Sequence, residues 1–112
     1  PCYPIIIISR DELLSGDDLK TATVSLLKSA VQAGQSYVTV VDSNAKEFWY
    51  DPDKKILSPG FTMRKWTKKK IVDLFNESSN SQKMETVYPA KSISSKKLAD
   101  IIRDICDLVK TP

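Results

Sequence analysis

Apolar and polar positions recur in two different rhythms along this chain, and the changes of rhythm divide it into elements. Residues 4–9, Pro-Ile-Ile-Ile-Ile-Ser, form an unbroken β-branched run, the signature of a strand covered on both faces and so placed inside a sheet. Residues 10–16 break that run. Ser15 or Asp17 then offers an N-cap, Asp17 and Asp18 suit the positive end of a helix dipole, and Leu19, Ala22, Leu26, Leu27, Ala30 and Val31 recur at spacings of three and four. The pattern predicts a helix ended by Gly34.

A β-rich stretch follows at 36–42, a turn at Ser43-Asn44-Ala45, and a returning strand at 46–50, which together predict a hairpin. Asp51, Pro52 and Asp53 supply a second turn, after which Ile56 and Leu57 form a short third strand stopped by Ser58, Pro59 and Gly60. Beyond Phe61 the helical rhythm resumes. With Thr67 as N-cap, Trp66 lies just outside the helix and Ile71 at its fourth position, the spacing of a hydrophobic staple, while Ile71, Val72, Leu74 and Phe75 carry the buried side. Residues 77–82 are polar and read as a mobile loop, 83–88 as one more strand ended by Pro89. A last helix, from Ser94 or Ser95 to about Lys110, is striped by Leu98, Ile101, Ile102, Ile105 and Val109.

The expected fold is one mixed α/β (α+β) domain over residues 1–112, with four or five strands and three helices in the order β-α-β-β-(β)-α-β-α. A strand-helix-strand start implies a parallel crossover and the hairpin an antiparallel pair, so a mixed sheet is expected, with its first strand central.

Composition narrows the class. With 41% hydrophobic and 28% charged residues the chain is neither disordered nor fibrous. Its longest apolar run, the four isoleucines, falls far short of the roughly 20 residues of a membrane span, and no charged leader precedes a cleavable segment. Neither insertion nor export is expected. Cys2 and Cys106 stand at opposite ends, with neither the density of a disulfide scaffold nor the pairing of a zinc site. A reduced, cytoplasmic protein without metal or cofactor is the expectation. There is no His, which removes Ser-His-Asp and Cys-His catalysis and imidazole ligands. Without a phosphate loop or an activated nucleophile, binding is expected rather than catalysis.

The net charge of +3, from 17 Lys and Arg against 14 Asp and Glu, is concentrated. Residues 64–70, Arg-Lys-Trp-Thr-Lys-Lys-Lys, hold five of the basic residues; the rest of the chain carries 12 against 14. Three lysines at a helix start oppose its dipole at a cost of roughly 0.3–1 kcal/mol each when exposed. A bound anion would reverse that sign by gathering free backbone N–H groups and ammonium groups about itself. Arg64, Lys65, Trp66, Lys68, Lys69 and Lys70 are therefore a candidate anion or nucleic-acid site, with Trp66 a stacking face and Arg64 a planar fork for phosphate. The alternative is a buried tryptophan staple beside a solvated basic face.

Phe48, Trp49, Tyr50 and Phe61 crowd into the same third of the chain. In a strand Phe48 and Tyr50 face one way and Trp49 the other, so the rings cannot share one layer, and an exposed ring edged by Arg and Lys has the composition of a protein interface. Asp42, Glu47, Asp51 and Asp53 cluster at the hairpin ends. Asp42 followed by Asp53-Lys54-Lys55 resembles the acid and acid-x-lysine pair of metal-dependent nucleases, whose acids must converge on Mg²⁺ from neighbouring strands. The leading expectation is a protein-interaction module, an adaptor or inhibitor of a partner protein, working through an aromatic and basic surface. Nucleic-acid or phosphate binding is the alternative and a nuclease the third reading. A charge of +3 is small for a dedicated nucleic-acid binder.

Overall fold

Four consecutive isoleucines need cover on both faces and partners on both edges, and β1 (Ile5–Ser9) obtains both by running inside the sheet. The computed structural model describes residues 1–33, 38–60 and 65–110, the side chains of residues 30–33 excepted. β2 (Glu12–Gly16), β3 (Val38–Val41), β4 (Glu47–Asp51) and β5 (Ile56–Pro59) complete one open sheet of order β2-β1-β3-β4-β5. The helices are α1 (Leu19–Ala33), α2 (Lys68–Asn76), α3 (Ser79–Met84), α4 (Ser92–Ser95) and α5 (Leu98–Lys110). The molecule is a mixed α+β domain.

Alternation along the strands creates two cores. Ile5, Ile7, Val38, Val40 and Tyr50 pack with Ala22 and Leu26 of α1 on one face. Ile6, Leu13 and Val41 meet Ile71, Val72 and Phe75 of α2 and Ile101, Ile102, Ile105 and Cys106 of α5 on the other. Helix packing is concentrated over β2, β1 and β3, and β4 and β5 carry the sheet beyond it.

The expected parallel crossover does not form, because every neighbouring strand pair is antiparallel. Residues 10–16, read as a break, contain the second arm of a tight hairpin: Ser9 pairs with Glu12 around Arg10 and Asp11, with Arg10 at φ 57. No Asn or Gly marks that turn, so its usual signal is missing. The hairpin reverses the chain before α1, and β2 and β3, which share a direction, lie on either side of β1 instead of side by side.

The predicted strand at 83–88 is also absent. Residues 79–84 are α3, capped by Ser78, whose hydroxyl accepts from Ser81 N, and closed by Glu85 at φ 52. The polar stretch 77–82 is therefore a structured element with its hydroxyls in use. Buried Ser78 donates to Phe75 O at 2.5 Å, and buried Ser81 donates to Thr86 O. Side-chain amides stand in for strands at two places. Asn76 accepts from Tyr88 N at 2.7 Å and donates to Tyr88 O at 3.2 Å. Asn80 accepts from Leu13 N at 2.7 Å and donates to Leu13 O at 3.0 Å, which closes the outer edge of β2.

α1 is capped by Asp18, whose carboxylate accepts from Thr21 N at 2.8 Å; this hydrogen bond is the main cause holding the Asp18 pKa below its usual value. Of the apolar stripe expected on α1, Ala22 and Leu26 are buried, whereas Leu19 and Leu27 are exposed. The predicted helix end at Gly34, the start of the strand at 36–37, Phe61 and Arg64 lie outside the described residues. Among the described residues no helix is long and apolar enough to cross a membrane.

Candidate functional site

Thr67 caps α2 as its position predicts: the hydroxyl accepts from Lys70 N at 3.2 Å and the carbonyl from Ile71 N at 3.0 Å. Lys68, Lys69 and Lys70 thus occupy the first three helical positions, where successive side chains are turned about 100° from one another. Their ammonium groups diverge. Lys68 Nζ reaches Ile93 O at 3.3 Å, Lys69 Nζ pairs with Asp73 Oδ2 one turn along at 2.8 Å, and Lys70 Nζ reaches back to Lys65 O at 3.4 Å. The hydrogen bond to Asp73 is also the main cause raising the pKa of Lys69. The basic run is contiguous in sequence but directed at three separate neighbours.

Trp66 is half-buried and packs against the core that contains Ile71, as a staple should. Its indole is also polar-anchored. Nε1 of Trp66 donates to Glu47 Oε1 at 3.1 Å, and Nε1 of Trp49 donates to Oε2 of the same carboxyl at 2.8 Å. Glu47, buried at the start of β4, thus joins a strand tryptophan to the tryptophan before α2. Gly60 N donates to Glu47 O at 3.0 Å, and a Cβ on Gly60 would lie 3.0 Å from Glu47 Oε2 and 3.1 Å from Trp49 Nε1, so glycine leaves the room this junction occupies. Phe48 is half-buried on the α1 side with buried Tyr50, while Trp49 faces the other way, as strand alternation requires.

The acids at the hairpin ends have local roles. Buried Asp42 accepts from Asn44 N and Lys46 N with one oxygen, at 2.9 and 3.0 Å, and from Cys2 N with the other at 3.0 Å, shaping the β3–β4 turn. Asp51 accepts from Asp53 N and Lys54 N at 3.0 and 3.3 Å, shaping the β4–β5 turn. Val41 pairs with Glu47 and Val38 with Tyr50, so Asp42 and Asp53 lie past opposite ends of β4, separated by roughly 13 Å of strand. They do not converge as a two-acid metal site requires. Among the described residues no group of three or more His, Cys, Asp or Glu is placed to hold a metal ion.

What does converge is a groove of about 700 Å³ at the end of the sheet. Ala45, Trp66 and Leu98 supply its apolar wall on the face covered by α2 and α5, Phe48 and Pro59 border it from strands whose side chains at those positions turn to the α1 face, and exposed Lys46 and Lys65 belong to its lining. Neither lysine takes part in an ion pair among the described residues. Of the residues singled out in the sequence, the structure gathers Lys65, Trp66 and Phe48 here and leaves Lys68, Lys69, Lys70, Trp49 and Tyr50 outside the lining. Leu98 reads in sequence only as a core stripe residue, Ala45 and Pro59 only as turn residues, and Glu47 only as a hairpin acid. No local signal joins them, because the turn after β3, the end of β5 and the start of α5 meet only in the fold. The chain matches no protein-family model, no curated protein and no solved structure at a significant level.

Proposed function

We propose that the protein is a non-catalytic binding module that holds a partner protein at the β4–β5 end of its sheet. The observation that carries this reading is the groove beside Trp66: its apolar walls stand where helix cover ends, and its lining includes two exposed lysines. Binding is favoured over catalysis by the acids nearest the groove. Asp42 is engaged with backbone N–H groups, and Glu47 accepts from indole N–H groups. A protein surface is favoured over a polyanion because the ammonium groups of Lys68, Lys69 and Lys70 diverge. Free thiols at Cys2 and Cys106 fit a reducing, cytoplasmic setting.

Affinity capture from the native cell, run with and without nuclease on the wild-type chain and on Leu98→Ser, tests the reading. A protein partner retained after nuclease by the wild type and lost by a still-folded Leu98→Ser chain is the expected result. Loss of the partner on nuclease treatment, or undiminished capture by the variant, would overturn it.

A further inference from the structure

We infer that the groove beside Trp66 takes a short acidic segment carrying one large apolar side chain; this rests on the binding-module reading and adds the chemistry of the occupant. The apolar wall formed by Ala45, Trp66 and Leu98 on one face of the sheet suits a bulky apolar group, and about 700 Å³ holds such a group together with part of its neighbours. The charges in the lining set what surrounds that group. Glu47, the single acid among the described lining residues, has both oxygens turned onto indole N–H groups of Trp49 and Trp66. Lys46 and Lys65 are exposed, so carboxylates flanking the anchor would meet cations.

The adjoining edge strand favours reading by side chains over addition of a strand. The bond from Gly60 N to Glu47 O fixes the β4–β5 ladder, in which bonded pairs alternate, so Leu57 and Pro59 turn their backbone groups to the outer edge. Pro59 has no N–H to offer there. An incoming strand would lack that donor, whereas a side-chain anchor does not need it.

The test uses three short synthetic peptides sharing a central Leu-Trp pair flanked by Asp and Glu, by Asn and Gln, or by Lys, titrated into the full chain labelled for amide NMR. The acidic peptide is expected to shift the amides of Ala45, Lys46, Phe48, Gly60, Lys65, Trp66 and Leu98, and to bind about fivefold or more tightly than the amide peptide, with the lysine peptide weakest. The double variant Lys46→Glu, Lys65→Glu, exposed at both positions and expected to fold, should reverse that order. Absence of acidic preference, an unchanged order in the double variant, or shifts elsewhere on the sheet would overturn the inference. If Leu98→Ser abolishes nuclease-resistant capture yet the acidic peptide binds no better than its amide, the assigned chemistry fails and the binding reading stands. If capture survives Leu98→Ser, the binding reading itself fails.

Discussion

A carboxyl group that receives one indole N–H on each oxygen makes Glu47, Trp49 and Trp66 depend on one another. Trp66→Phe keeps much of the ring and removes one donor, and should lower unfolding stability by about 1–3 kcal/mol in urea titration. Gly60→Ala should destabilise as well, since its Cβ would press on the same carboxyl. Cys106 is inert for a different reason. Burial first, and the charges of Asp17 and Asp107 after it, push its thiol up to about 12. A thiol reagent at pH 8 should therefore modify one cysteine per native chain, exposed Cys2, and two after unfolding. The raised folded value also fixes a sign. Stability from the neutral thiol is complete below its ordinary value near 9 and is lost as pH rises towards 12, so the urea midpoint should fall across that window and fall less in Cys106→Ala. At this scale the sequence is legible where the partner is a chain neighbour, as with Thr67 and Lys70 of the cap. It is silent on Glu47, whose partner Trp66 lies 19 positions away.

At the scale of elements, α2 begins where its cap and staple place it, but Lys70 occupies the position at which glutamate would complete a capping box with Thr67. Lys70→Glu should raise stability by about 0.5–1.5 kcal/mol in thermal or urea unfolding, through the reciprocal cap and a better match to the dipole. Asn80 does for β2 what a neighbouring strand would do. Asn80→Ala removes both of its bonds to Leu13, and the expected result is a loss of about 1–3 kcal/mol together with self-association that grows with concentration in size-exclusion runs. These contacts also explain the misread elements. Residues 77–82 look like a loop because they are polar, yet their hydroxyl and amide groups close buried backbone groups, a use that composition does not distinguish from solvation. The β2 strand is hidden because its turn residues, Arg10 and Asp11, lack the usual glycine or asparagine. The stripe of α5 is legible because its period persists for the whole helix and its partners are simply apolar.

At the scale of the molecule, helices insulate β2, β1 and β3 while β4 and β5 extend past them. Native-state hydrogen exchange should therefore be slowest for amides of β1 and β3 and faster for those of β5, and equal protection of all five strands would contradict that gradient. The class of fold was readable from periodicity, whereas the groove was not, since it joins residues 44–48, 59–60, 65–66 and 98 from four parts of the chain. The strand order has a kinetic consequence as well. The β1–β2, β3–β4 and β4–β5 pairings join strands consecutive in sequence, and β1–β3 alone among them closes across an intervening strand and helix. Bringing that pair together requires the larger loop-closure entropy, so it belongs to the rate-limiting step of folding. Truncating Val40, which faces Ile7 across that junction, should slow folding, whereas truncating Leu57 at the far edge should chiefly speed unfolding.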